Sequence, residues 1–197
     1  MGRTKVDFPW ERLTGKPLIY ASMGTVLNGN LDLFQTIVTA LTKHDDVQLV
    51  LSVGGQIDPQ RIVSAPKNAI IVQRAPQLEL LKLASVCITH AGLNTVLESL
   101  AQGVPQVAIP VTFDQPGVAA RIAHRQTGVV TSLDKLTPDH LLELLDEVLI
   151  NSTYRANAQK LQRKIVEANG LAVAADVVED SLGIVKRRTP GVIAEKG

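Results

Sequence analysis

The chain has 197 residues, 45% of them hydrophobic, with 20 basic against 19 acidic side chains and a formal net charge of +1. That length and apolar content suffice for one large core and exclude a disordered chain, which needs low hydrophobicity and high net charge. The balanced charge excludes a general nucleic-acid binder, and the single cysteine, Cys87, excludes an intramolecular disulfide or a cysteine-rich zinc site. A reducing, cytoplasmic setting is the expectation.

Residues 1–16 read as a lead-in. Met1-Gly2-Arg3-Thr4-Lys5 lacks the apolar region of a signal peptide, and a chain that opens in mid-theme reads as an excised domain. Pro17 to Ser22 is the first strand and stops at Gly24. Asn30 is placed to cap a helix whose Leu31, Phe34, Ile37, Val38 and Leu41 recur at helical spacing. Val47–Val53 and Ala69–Val72 are further strands, and Pro76 suits the first position of a helix carrying Leu78, Leu80, Leu81 and Leu83. Val86–Thr89 is the next strand, followed by His90-Ala91-Gly92 and a helix from about Asn94 to Gln102.

Gln106–Ile109 and Gly128–Thr131 are strands flanking a helix from Gln115 to Arg125, and helices then start at Thr137, Ser152 and Leu171. The longest uncharged stretch, Ser99 to Phe113, is broken by Gly103, Pro105 and Pro110 and falls short of the ~18 apolar residues that cross a bilayer. Aromatics are only 3% of the chain, so the core is aliphatic, which suits a parallel sheet covered by helices. The alternation of short aliphatic runs with helical patterns predicts an α/β, Rossmann-like, doubly wound parallel sheet of about six strands over residues 17–183, with a loose tail at 184–197.

Ligands of such sheets bind beyond the carboxyl ends of the strands. Three loops there are rich in small and polar residues: Ser22-Met23-Gly24-Thr25, Gly54-Gly55, and His90-Ala91-Gly92-Leu93-Asn94-Thr95. In the third, a glycine allows close backbone approach and Asn94-Thr95 open a helix whose N–H groups attract an anion. Glu98 lies four residues after Asn94 on the same face, where a carboxylate repels phosphate but accepts hydrogen bonds from a vicinal diol such as ribose. The pattern points to a nucleoside diphosphate. Taken singly, Asn94 or Thr95 are equally ordinary helix caps, Glu98 a solvated residue, His90 a structural histidine, and Gly24 and Gly54 turn glycines. The dinucleotide fingerprint, the Walker motif and any D-x-D pair are absent, so the charge is expected to be met by helix N-termini, hydroxyls and His90 rather than by a metal.

Arg74-Ala75-Pro76-Gln77, Thr89 to Ser99, Gly103-Val104-Pro105 and Asp114-Gln115-Pro116 match in order and spacing the donor-binding signature W-x-P-Q … H-x-G-x-N-[ST]-x-x-E … G-V-P … D-Q. The chain thus resembles the UDP-glycosyltransferase family, and its flavour is similar to the bacterial zeaxanthin-type glucosyltransferases. The resemblance implies the C-terminal half of the two-domain GT-B fold, with no cofactor, the UDP-sugar being a substrate. It implies that Gln77 and neighbouring backbone read the uracil edge, and that His90, the Gly92–Thr95 amides, Ser22, Gly24 and Thr25 hold the diphosphate. It gives Glu98 the ribose, and Asp114 and Gln115 the hydroxyls of the sugar, with glucose favoured. The family's base-stacking tryptophan is Arg74 here, whose planar guanidinium can stack in its place.

The resemblance further implies an inverting, metal-independent transfer to a hydrophobic small-molecule acceptor. The general base and acceptor pocket would lie in an N-terminal domain absent from this chain. His44, His124 and His140 are read as surface or packing residues away from the ligand edge. The chain is therefore expected to bind UDP-sugar, to be inactive alone, and to self-associate through the uncovered cleft face. Peripheral membrane attachment would follow from a lipidic acceptor. Alternatives are a donor-binding subunit of a two-chain N-acetylglucosaminyltransferase, a non-catalytic nucleotide-sugar-binding module, and a UDP-sugar epimerase, whose pattern usually lacks the Asp-Gln pair.

Overall fold

The computed structural model describes residues 6–24 and 29–183. Six parallel strands, β1 (Leu18–Ser22), β2 (Gln48–Ser52), β3 (Ile70–Val72), β4 (Ala84–Thr89), β5 (Gln106–Ala108) and β6 (Gly128–Val130), form one sheet in the order β3-β2-β1-β4-β5-β6. The chain winds one way from β1 to β3 and the other way from β4 to β6. The crevice between β1 and β4 is therefore the point at which strand order reverses. Register brings the strand ends level: Ser22 pairs with Ser52 and Thr89, and Thr89 with Ala108, so the following loops emerge along one edge.

Side chains alternate across the strands and divide the core in two. Ile19, Ala21, Leu49, Leu51, Val86, Ile88 and Val107 face α1 (Leu31–Ala40) and α5 (Pro138–Ile150), meeting Phe34, Ile37, Val38, Leu141 and Leu145. The other face is covered by α2 (Gln77–Leu81), α3 (Leu93–Ala101), α4 (Gln115–His124) and α6 (Ser152–Ala168), against Tyr20, Val50, Cys87 and Ala108. α7 (Gly170–Ser181) buries no residue. Cys87 sits wholly buried in β4, and burial pushes its thiol up to about 12, which keeps it a packing residue.

Local chemistry sets the helix starts. Asn30 accepts from the Leu33 N–H (3.0 Å), and Thr137 from His140 N–H (3.2 Å) with Pro138 at the first helical position. Two starts differ from expectation. Pro76 is the cap of α2 rather than its first residue, its carbonyl accepting from Leu80 N–H (3.0 Å). α3 begins at Leu93, with Gly92 as its cap, rather than at Asn94. β4 begins at Ala84, two residues earlier than its apolar run suggests, which cuts α2 off at Leu81. Short 3-10 turns at Trp10–Arg12, Pro59–Arg61 and Leu133–Lys135 carry no periodic signal in the sequence.

Part of the lead-in packs on the sheet. Phe8 is buried beside β1 and β2 residues and meets Trp10 edge to face at 4.9 Å between ring centroids. Gln48 of β2, almost wholly buried, accepts from Thr14 N–H (2.8 Å) and Oγ1 (3.0 Å) and donates to the carbonyls of Arg12 (2.8 Å) and Asn68 (2.9 Å). Gln48→Leu keeps the volume and orphans these groups. It is expected to lower stability by about 2 kcal/mol, read from the urea midpoint at unchanged m-value.

Candidate functional site

The loops after β1, β4 and β5 meet around one histidine. β4 ends at Thr89, whose hydroxyl accepts from Ala91 N–H (3.2 Å) and turns the chain, with Ala91 at a φ of 63°. His90 is thereby held between two glycines. A Cβ at Gly24 would lie 2.7 Å from the ring's Cε1, and one at Gly92 only 2.4 Å from its Nε2. Gly24 also has a φ of 79°, a conformation that L side chains rarely adopt. The imidazole fits here only because neither neighbour has a side chain.

Gly92 caps α3 without a side-chain bond, and the first helical hydrogen bond runs from Val96 N–H to Gly92 carbonyl (3.1 Å). The amides of Leu93, Asn94 and Thr95 thus have no intrahelical acceptor and form the positive end of the helix dipole beside His90. Burial pushes the His90 pKa below its ordinary value, while the Ser22 main chain and the Asp114 carboxylate pull the other way. Its Nδ1 is buried and completes no hydrogen bond among the described residues. An anion arriving at this helix mouth would join the Ser22 main chain and Asp114 in favouring the imidazolium.

One turn into α3, Glu98 is half-buried on the same side. Gln77, the first residue of α2, donates to Glu98 Oε2 (2.6 Å) and, more weakly, to Thr95 Oγ1 (3.4 Å), while its Oε1 accepts from the Tyr20 phenol (3.0 Å). Both ends of the Gln77 amide are thus engaged within the protein. Arg74 is exposed in the loop before α2, and that loop is tied to the end of β2 by Gly54 N–H donating to Gln73 carbonyl (2.9 Å).

The Asp114-Gln115 pair is divided. Asp114 is exposed at the start of α4, whereas Gln115 is buried and its Oε1 accepts from the N–H groups of Val111 (2.8 Å) and Thr112 (3.0 Å). Gln115 therefore clamps the β5–α4 loop, and only its Nε2 remains to meet a ligand. The clamped loop holds Phe113 at a φ of 57° with its ring 78% exposed, a strained placement for a bulky residue. Ser22 lies buried at the end of β1, and Gly24 follows it. Thr25 lies outside the described residues.

Sequence reasoning missed Tyr20, Phe113 and the inward turn of Gln115. The alternation in β1 that puts Tyr20 on the α2 face was the available signal for the first. It also misplaced one histidine. His44 bonds Asp46 (3.0 Å) beyond α1 and His124 ends α4, but His140 contacts the hydroxyl of Thr131 (3.2 Å) just past β6, on the ligand-bearing edge. There it lines a cavity of about 350 Å³ with Pro110 and Lys135, two strands from β4. A larger cavity, about 670 Å³, lies at the opposite edge around Pro17, Ser85, Ile150 and Arg155. Its Arg155 guanidinium donates to the Ser85 carbonyl (2.6 Å), which fastens α6 to β4. Among the described residues no cluster of three or more His, Cys, Asp or Glu could hold a metal, and no helix is long and apolar enough to cross a membrane.

A parallel sheet with an open helix mouth, a glycine-held histidine and a carboxylate one turn deeper defines a doubly wound α/β domain whose polar edge lies where such folds take anionic ligands. Comparison with known proteins places it more closely. The profile of the family described as UDP-glucoronosyl and UDP-glucosyl transferase matches residues 14–167. An uncharacterized UDP-glucosyltransferase of Bacillus subtilis, YdhE, is 35% identical over 176 residues, covering 89% of this chain and 44% of that protein. The zeaxanthin glucosyltransferase of Pantoea ananas is 34% identical over 166 residues, covering 83% of this chain and 38% of its own. Among solved structures, the calicheamicin glycosyltransferase CalG4 superposes with a TM-score of 0.80 at 30% identity, covering 85% of this chain and 44% of that one. Os79 of O. sativa, solved in complex with UDP, superposes with a TM-score of 0.66 at 26% identity, covering 75% and 36%. The chain belongs to the UDP-glucoronosyl and UDP-glucosyl transferase family. Its fold is that of the C-terminal half of a GT-B glycosyltransferase, and it spans less than half the length of these relatives.

Two measurements test the histidine's setting. Gly92→Ala drives a methyl into the imidazole and is expected to cost about 1–3 kcal/mol, whereas Gly55→Ala, with nothing within 4 Å of the added carbon, should lie within about 0.5 kcal/mol of the parent by urea denaturation. Because the folded pKa of His90 is lowered, the unfolded chain binds the proton more readily. The neutral imidazole's contribution is intact above the unfolded pKa of about 6.5 and is lost as pH falls towards the folded value. His90→Asn should therefore lose less stability than the parent between pH 7.5 and 5.5, and an equal loss in both proteins would contradict the assignment.

Proposed function

We propose that this chain is the donor-binding half of an inverting, metal-independent glycosyltransferase that moves a sugar, glucose in the preferred reading, from UDP to a hydroxyl of a hydrophobic small molecule. The observation that carries the proposal is the His90 imidazole seated between Gly24 and Gly92 beside the open amides of α3. Such an arrangement meets a diphosphate with fixed dipoles and one titratable cation. UDP-sugar donors in the family, and the UDP found with Os79, supply the ligand class.

In this reading the Arg74 guanidinium stacks on uracil, Glu98 accepts from the ribose hydroxyls, and the Leu93–Thr95 amides with His90 hold the diphosphate. As the anomeric bond breaks, charge grows on the departing phosphate oxygen. Preorganised amides and the imidazole stabilise it more than they stabilise the bound donor, which is the requirement for catalysis. Asp114, exposed at the same rim and close enough to act on His90, accepts from the sugar hydroxyls. Gln115 contributes through its amide nitrogen while its carbonyl holds the loop. The acceptor and the base that deprotonates it belong to the N-terminal half of such enzymes, so the chain alone binds donor and transfers nothing.

Titration calorimetry with UDP tests this. The chain should bind UDP, and Glu98→Ala should weaken binding by about 1.5–3 kcal/mol, the range for hydrogen bonds to a charged group. No binding at millimolar UDP would contradict the assignment.

A further inference from the structure

We infer that Tyr20, a core residue of β1, is a positioning residue for ribose recognition, acting on Glu98 through Gln77. The inference rests on the nucleotide reading above and deepens it. Tyr20 lies between Val50 of β2 and Cys87 of β4 with its side chain almost wholly buried. Its phenol donates to Gln77 Oε1 at 3.0 Å, and Gln77 Nε2 donates to Glu98 Oε2 at 2.6 Å.

The direction of these bonds follows from the chemistry of the groups. A carboxylate only accepts, so the Gln77 nitrogen must face Glu98 and its carbonyl must face Tyr20. A carbonyl facing a phenol requires that phenol to donate. The carboxylate therefore decides which way the Gln77 amide points, the buried phenol anchors its carbonyl end, and the anchored amide sets the plane of the Glu98 carboxylate. Reversing the amide would set its oxygen against the Glu98 carboxylate, two acceptors in contact that a part-buried site disfavours, and would cost the phenol its acceptor.

The function of such a relay is preorganisation. Glu98 stands on a helix face beside solvent, where an unrestrained carboxylate would sample several rotamers and lose that freedom on binding a diol. Held by Gln77, the carboxylate is presented to the ribose in one orientation. The second donor contact of Gln77, to Thr95 Oγ1 at 3.4 Å, links the same amide to the first turn of α3. The phenol thus lies in the core, away from any ligand, yet the effect of removing its oxygen should appear only when the ligand carries ribose hydroxyls.

The test is titration of the parent chain and Tyr20→Phe with UDP and with 2′,3′-dideoxyuridine diphosphate, alongside melting temperatures. For UDP, the dissociation constant should rise about 3–10-fold, the equivalent of one hydrogen bond, and for the dideoxy nucleotide it should stay within about twofold of the parent. In Glu98→Ala the same Tyr20→Phe change should have no further effect on UDP affinity. Should Tyr20→Phe not fold, Gln77→Met breaks the relay at its half-buried link and should give the same ribose-dependent loss. Equal weakening for both nucleotides would show a purely structural hydroxyl, and no weakening for either would show an idle one; each overturns the relay while leaving the UDP site standing. A parent chain that binds no UDP overturns the nucleotide reading and the relay together.

Discussion

Everything at the ligand edge depends on how closely the β1 loop and the mouth of α3 approach each other around the His90 ring. Parallel strands paired in level register bring Ser22 and Thr89 side by side. From there the chain must place an imidazole between two backbones that leave no room for a Cβ at Gly24 or Gly92. Interior packing is dense enough that one misplaced methyl is felt. The same two glycines therefore fix the ring and let backbone amides approach a ligand. A histidine packed in this way is partly desolvated, so its charge is weakly held in the free protein and is favoured by an arriving anion.

Around this centre the polar side chains separate into those that face the ligand space and those that hold others in place. Gln77 and Gln115 both belong to motifs that suggest direct ligand contact, yet each has its carbonyl turned inward, one to the Tyr20 phenol and one to two loop amides. Glu98 and Asp114 are the carboxylates left at the rim. The strain stored at Phe113 is maintained by the Gln115 clamp, which places an exposed aromatic ring beside Asp114. Strain of that kind persists only where surrounding bonds over-determine it.

Much of the architecture was legible because aliphatic runs ended by glycine or proline and flanked by 3.6-residue periodicity leave few alternatives to a doubly wound sheet. Asn30 and Thr137 were readable as helix starts because their side chains make the capping bond. The start of α3 was not, because Gly92 caps without a side chain while Asn94 and Thr95 have the composition of caps but lie inside the helix. The motif residues His90, Glu98 and Asp114 do gather along the carboxyl-end edge of the sheet, as their order after successive strands implies. The motif could not show the bond from Tyr20 to Gln77, which joins residues 57 positions apart and exists only after β1 and α2 are packed. Nor could it show that His140 reaches the ligand edge, since that depends on α5 folding back over β6.

The proposed function turns on a diphosphate seated on the first-turn amides of α3 against His90. Amide and imidazole nitrogen NMR of the labelled chain during a UDP titration addresses it directly. The largest shifts are expected at the Leu93, Asn94 and Thr95 amides and at the His90 ring, with the imidazole moving towards its protonated form near neutral pH. Shifts centred instead around Arg155 and Ser85 at the opposite edge, with the α3 amides and His90 unmoved, would contradict it.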